Sequence, residues 1–239
     1  MRILIVSLLA LLLAASPLAA AEPQSPPRDG WDRVWDVLSL PWMRAFPVTR
    51  RVRDQLLIAF FPRYPYRDGR DGYLVVEPAF RDNRRYRLWG GRIGGDVGAG
   101  TDDTRRGALD LRLDSAFRFG AQLRLDRTWD DGGSGGLAVG TYRMVQHRRL
   151  VTRFGLGPRW STGRSPGIGV AATLGIDIFP ARPWVISLDG DVGSIGTSGA
   201  GGARVQIGYL VRAVEFDLGF LTQTHPEFHG PIAGVAYWF

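Results

Sequence analysis

Between Leu109 and Trp129 the chain alternates with a period of two. Odd positions carry Leu109, Leu111, Leu113, Phe117, Phe119, Leu123, Leu125 and Trp129, and even positions carry Asp110, Arg112, Asp114, Arg118, Gln122, Arg124 and Asp126. A helix would scatter these residues around its circumference, whereas a strand sorts them onto two faces, one aliphatic and aromatic, the other charged. Two architectures can use such a strand. A water-soluble sheet buries the apolar face against a second layer, and a membrane barrel turns the apolar face to lipid and the charges to its lumen.

The rest of the chain separates them. The alternation recurs in Ile168 to Ile178, Trp184 to Val192, Val205 to Tyr209 and Val214 to Phe220. Candidate strands run over 87–99, 108–117, 120–129, 137–146, 149–158, 167–178, 184–195, 202–211, 214–222 and 230–239. Each is near the length a tilted membrane strand needs. Between them, segments 100–107, 130–136, 159–166, 196–201 and 223–229 read as long loops and the others as tight turns. That is the sorting of extracellular loops and periplasmic turns in outer-membrane barrels. Thirty-two glycines weaken any helical reading, and on the polar face they leave room for long charged side chains. The expected fold is all-β: a transmembrane, antiparallel, up-and-down barrel of ten strands over 86–239, with a short helical extension before it.

Residues 1–21 read as a secretory signal peptide: Arg2, an apolar run from Ile3 to Ala15, and Ala19-Ala20-Ala21 before Glu22. Residues 22–85 read as a periplasmic linker and amphipathic helical segment. Trp31, Val34, Trp35, Leu38 and Trp42 recur at helical spacing, and Val52, Leu56, Leu57 and Phe60 suggest a second short helix. Two roles stay open for this segment, a helix lying in the membrane interface or a plug packed against the barrel mouth.

The chain ends Gly234-Val235-Ala236-Tyr237-Trp238-Phe239. This resembles the C-terminal assembly signal of Gram-negative outer-membrane β-barrel proteins, in which a glycine is followed three residues later by an aromatic and two further on by a terminal Phe. Gly234, Tyr237 and Phe239 match, and Ile232 stands where that signal usually has a polar residue. The resemblance implies an outer-membrane location, with periplasmic chaperones and the barrel-assembly machinery as partners beside membrane lipid and lipopolysaccharide.

By strand parity the lumen should hold Arg92, Asp96, Asp110, Arg112, Asp114, Arg118, Arg124, Asp126, Arg153, Asp177, Asp189, Asp191, Arg204, Glu215 and Asp217. Buried charges must be paired, and a barrel of eight to ten strands is nearly filled by its own side chains, so these residues read as a packed ion-pair network. The net charge of +7 could suggest nucleic acid, but the arginines alternate with acids instead of clustering, so no nucleic-acid partner is expected. There is no cysteine, hence no disulfide and no thiolate metal site. His147, His225 and His229 are the only histidines; none begins the His-x-Ser pair of outer-membrane phospholipases and lipid A deacylases. His225 with Asp102-Asp103 and Asp130-Asp131 fits a ten-stranded omptin-like protease only loosely, because the strands read as too short. No catalytic residue, metal site or cofactor is assigned. The expectation is a non-enzymatic structural or interaction barrel with a charged, side-chain-filled lumen. The alternatives are a narrow channel for ions or small solutes and an envelope lipid-modifying enzyme.

One hairpin can be read to the residue. Apolar parity stays odd through the turn after Leu113, so the loop has an odd number of residues. A three-residue loop usually ends on a glycine in the left-handed region. Gly120 is the available glycine, which sets the loop at Arg118-Phe119-Gly120, with Asp114 opposite Arg124 and Arg112 opposite Asp126.

Overall fold

The computed structural model of the 239-residue chain describes residues 59–67, 72–74, 87–101, 103–129, 133–162 and 166–239. The signal segment, the helix read over residues 31–42 and all but the last residues of the helix read over 52–60 lie outside the described residues.

Period-two alternation becomes ten antiparallel strands: β1 (Trp89–Ala99), β2 (Arg105–Ser115), β3 (Phe119–Thr128), β4 (Ser134–His147), β5 (Leu150–Thr162), β6 (Gly167–Ile178), β7 (Trp184–Ile195), β8 (Ser198–Val211), β9 (Val214–Thr224) and β10 (Glu227–Trp238). Each pairs with the next in sequence, and β1 pairs with β10 from Arg92 opposite Trp238 to Gly98 opposite Ile232, closing the barrel. Closure leaves no sheet edge with unpaired backbone groups, a condition for spanning hydrocarbon.

The wall is apolar on the outside. Ile168 is 76% exposed, Leu218 69% and Val170 62%, and Val205, Ile207, Phe216 and Phe220 are each about half exposed. The ionisable residues of the same strands are buried inside. Water would penalise this inversion at every strand, whereas lipid favours it. At the end holding turns 116–118, 148–149, 179–183 and 212–213, Trp89, Phe119, Trp184, Tyr209 and Tyr237 project outward, with the Trp184 and Tyr209 rings edge-to-face at 5.2 Å. Trp129 projects at the opposite end. Such belts sit at membrane–water boundaries. Phe179, at the same end, points inward and is fully buried.

Three expectations are corrected. First, the connections at the outer end are short: only residues 196–197 and 225–226 separate β7 from β8 and β9 from β10. Segment 196–201 is rich in Gly, Ser and Thr, and 223–229 reads Gln-Thr-His-Pro-Glu-Phe-His, so neither carries an outward apolar run to reveal its strand. Their backbone ladders nonetheless continue, with Ser194 opposite Gly199 and His229 opposite Thr222.

Second, the β2–β3 register lies two residues nearer the N-terminus. The loop is Ala116-Phe117-Arg118, and Arg118 takes the left-handed conformation with φ 71°. Asp110 therefore faces Arg124, and Asp114 faces Gly120. The loop still has an odd number of residues, so parity survives. Gly120 is needed in the wall and not in the turn: a Cβ there would lie 2.4 Å from the Leu113 carbonyl oxygen and 2.7 Å from Thr141 Oγ1.

Third, residues 59–61 are extended where a helix reaching Phe60 was expected, and Phe61 forms a bridge with Arg87.

Candidate functional site

The lumen is the candidate site, and its side chains form three levels. At the level nearest the short turns, Asp177 of β6 is shared by Arg112 of β2 at 3.1 Å and Arg153 of β5 at 2.6 Å, and accepts from Ser187 Oγ at 2.9 Å. Arg143 reaches Asp114 at 2.9 Å. Glu215 accepts from Arg92 Nε at 3.0 Å and from the Trp238 indole at 2.6 Å.

In the middle level, Asp217 accepts from Arg92 at 3.2 Å and from Gln206 at 2.6 Å. Asp110 faces Arg124 at 3.6 Å and accepts from Gln122 at 3.0 Å. Asp96 binds Arg204 at 3.0 Å. Nearer the outer end, Arg106 bridges Asp96 and Asp126, and Arg159 pairs with Asp191. Arg106 also lies over the Phe228 ring, whose apolar neighbours are Leu221 and Ile232.

Of the charges assigned to the lumen by parity, all but Arg118 and Asp189 are buried. Asp189 is half-buried, and Arg118 sits in the β2–β3 turn, also half-buried. Sequence reading missed Arg106, Arg143 and Arg159, each buried and ion-paired. Arg106 and Arg159 fell in segments read as loops, although both share the parity of the charges already found on their strands. Arg143 lies on β4, whose inward positions begin with apolar Leu137 and Val139 and whose register shifts between Arg143 and Val145. The alternation that reveals the other strands is absent there.

A second set of residues packs inside the barrel at the short-turn end. Ala59, Phe61, Tyr66, Tyr73 and Leu74 are buried in one cluster with Val151, Phe179, Val185, Leu210 and Trp238 of the wall. The Tyr73 ring meets Trp238 edge-on at 4.7 Å, and the Arg143 guanidinium lies 5.0 Å from the Phe61 ring centroid. Tyr66 donates to the Trp184 carbonyl at 2.6 Å, and Tyr73 reaches Asp114 at 3.5 Å. Burial holds the Tyr73 phenol well above its ordinary pKa, so it stays a neutral donor. Gly72 makes the close approach possible. Its φ is 91°, and a Cβ there would lie 1.4 Å from the Arg148 carbonyl oxygen. Residues 59–67 and 72–74 precede the boundary at 86 drawn from sequence, yet they pack inside the barrel as a plug.

The histidines do not converge. His147 accepts from the Arg149 backbone at an exposed turn, and His225 contacts Thr224. His229 contacts Thr222 at 2.6 Å and lies 3.6 Å from Glu227. No group of three metal-ligating side chains gathers among the described residues.

No protein-family model matches the chain, and no curated protein matches it. Among solved structures the chain is similar to the KdgM porin, at 14% identity and TM-score 0.39, covering 63% of this chain and 99% of that one. It is also similar to a KdgM porin in complex with disordered oligogalacturonate, at 13% identity and TM-score 0.38, with 63% and 99% covered. A further similarity is to CdiB from Acinetobacter baumannii, at 11% identity and TM-score 0.25, covering 57% of this chain and 32% of that one. The closed ladder, apolar exterior and charged interior are those of a transmembrane β-barrel.

Proposed function

We propose that the protein is a non-enzymatic structural or interaction barrel of the outer membrane, with a lumen closed by its own side chains. One observation carries this reading. The mid-lumen cavity among Arg92, Gly94, Gly95, Asp96, Asp110, Arg204, Gln206 and Asp217 has a volume of about 10 Å³, room for about one water molecule. A conducting path needs continuous water, and the ion pairs above and below this cavity occupy that path. The plug of residues 59–67 and 72–74 adds a second closure.

A narrow channel for ions or small solutes is the second reading. It is favoured by the polar lining, which continues from Glu215 to Asp191, and by a plug that belongs to no strand of the wall. Planar-bilayer recording separates the two. The full-length barrel is expected to show no stable open state, and a reproducible conductance of porin size would end the first reading in favour of the second.

A further inference from the structure

Every turn at the plugged end carries arginine: Arg118 in 116–118, Arg148 and Arg149 in 148–149, Arg182 in 179–183 and Arg212 in 212–213, with Arg87 just before β1. Arg87, Arg148, Arg182 and Arg212 are exposed, and none of the four has a carboxylate partner among the described residues. Those turns contain no acidic residue, and neither do residues 59–67 and 72–74 of the plug. The opposite end differs, exposing Asp103 and Glu227. Among the described side chains, the exposed charge at the plugged rim therefore has one sign.

Such a ring repels itself unless an anion sits against it. Depth identifies the anion. Directly beside the turns, Trp89, Phe117, Phe119, Trp184, Tyr209 and Tyr237 project outward, about half exposed or more. Aromatic side chains in that position lie at headgroup level, so Arg87 and Arg182, two residues from Trp89 and Trp184, and Arg212, three from Tyr209, lie near the depth of lipid phosphates, and Arg148 sits in a turn of the same rim. The residue type agrees: a guanidinium fork binds two phosphate oxygens at once, which an ammonium group does not, and the chain has no lysine.

We propose that this rim is a binding ring for anionic phospholipid headgroups, with Arg87, Arg148, Arg182 and Arg212 holding their phosphodiesters. The proposal rests on the outer-membrane reading, in which both ends of an even-stranded barrel and its short turns face the periplasm. The ring then engages the inner leaflet.

The test uses the full-length protein folded in detergent micelles, with heat-modifiable migration as the check on the barrel. Equal amounts of phosphatidylglycerol and phosphatidylcholine are added, and retained lipid is read by native mass spectrometry. The wild type is expected to retain phosphatidylglycerol preferentially, less so as salt rises. In Arg87→Gln/Arg148→Gln/Arg182→Gln/Arg212→Gln the preference is expected to fall at least about tenfold, since each surface arginine contributes measurably to anionic-lipid attraction. If that variant does not fold, Arg148→Gln/Arg212→Gln and the wild-type salt titration read the same point. A folded wild type with no lipid preference, or a folded variant that keeps the preference, overturns the proposal and leaves the barrel reading intact. A wild type with no heat-modifiable form contradicts the barrel reading itself.

Discussion

Replacing Arg106 by alanine is expected to cost about 3–5 kcal/mol of folding free energy, a fall of at least a hundredfold in the ratio of folded to unfolded barrel. Arg106 has no exposed surface and bridges carboxylates from two strands, Asp96 of β1 and Asp126 of β3. Taking away the cation leaves Asp126 without its ion-pair partner and Asp96 with only Arg204. Both carboxylates are buried, so the unpaired charge is costly. The measurement is the urea midpoint of the heat-modifiable band. Arg127→Ala, on the exposed face of β3, is the control and is expected to shift the midpoint little, as surface substitutions do. Equal midpoints for the two variants would show that the lumen is wet enough to screen its charges.

Asp177→Ala is expected to be at least as damaging, for the converse reason. Asp177 is the carboxylate shared by Arg112 and Arg153, and it also anchors Ser187. Its loss strands two guanidinium groups beneath the plug, at a cost again of about 3–5 kcal/mol or more. A second change separates charge from cavity. Arg153→Met removes one stranded cation while conserving most of the volume, so Asp177→Ala/Arg153→Met is expected to fold better than Asp177→Ala alone. Non-additivity of this kind marks two groups that interact directly. A double variant no better than Asp177→Ala would mean that the damage comes from lost packing instead of unpaired charge.

Much of this arrangement was legible in the chain, and the limits of that legibility are physical. Where hydrocarbon lies on one side and ion pairs on the other, as in β2 and β9, alternation places each side chain correctly. Arg106 and Arg159 were hidden because the strands run on past the ends read from sequence: their segments, 100–107 and 159–166, read as loops although both arginines keep the inward parity of their strands. On β4 the inward face starts apolar at Leu137 and Val139, which hid Arg143. The β2–β3 register was misplaced because turn chemistry was weighed without the neighbouring strand. Gly120 is required beside Thr141 of β4, a contact three strands must form together, and Arg118 takes the left-handed position instead. The plug at 59–67 and 72–74 was not legible: the plug alternative was read for the helical segment before Pro62, which lies almost wholly outside the described residues. Its anchoring residues, Phe61, Tyr66 and Tyr73, are aromatics among prolines and arginines with no period, and only the closed barrel gives them a common destination.

The central claim is that one face of every strand meets lipid and the other a closed, charged lumen. Lipid-phase photolabelling of the wild-type barrel in vesicles, with a membrane-dissolved carbene precursor and residue-level mass spectrometry, tests it most directly. Label is expected on Ile168, Val170, Val205, Ile207, Phe216, Leu218 and Phe220, and not on their strand neighbours Asp177, Arg204, Glu215 and Asp217. Label spread over both sets, or confined to the second, would contradict the account.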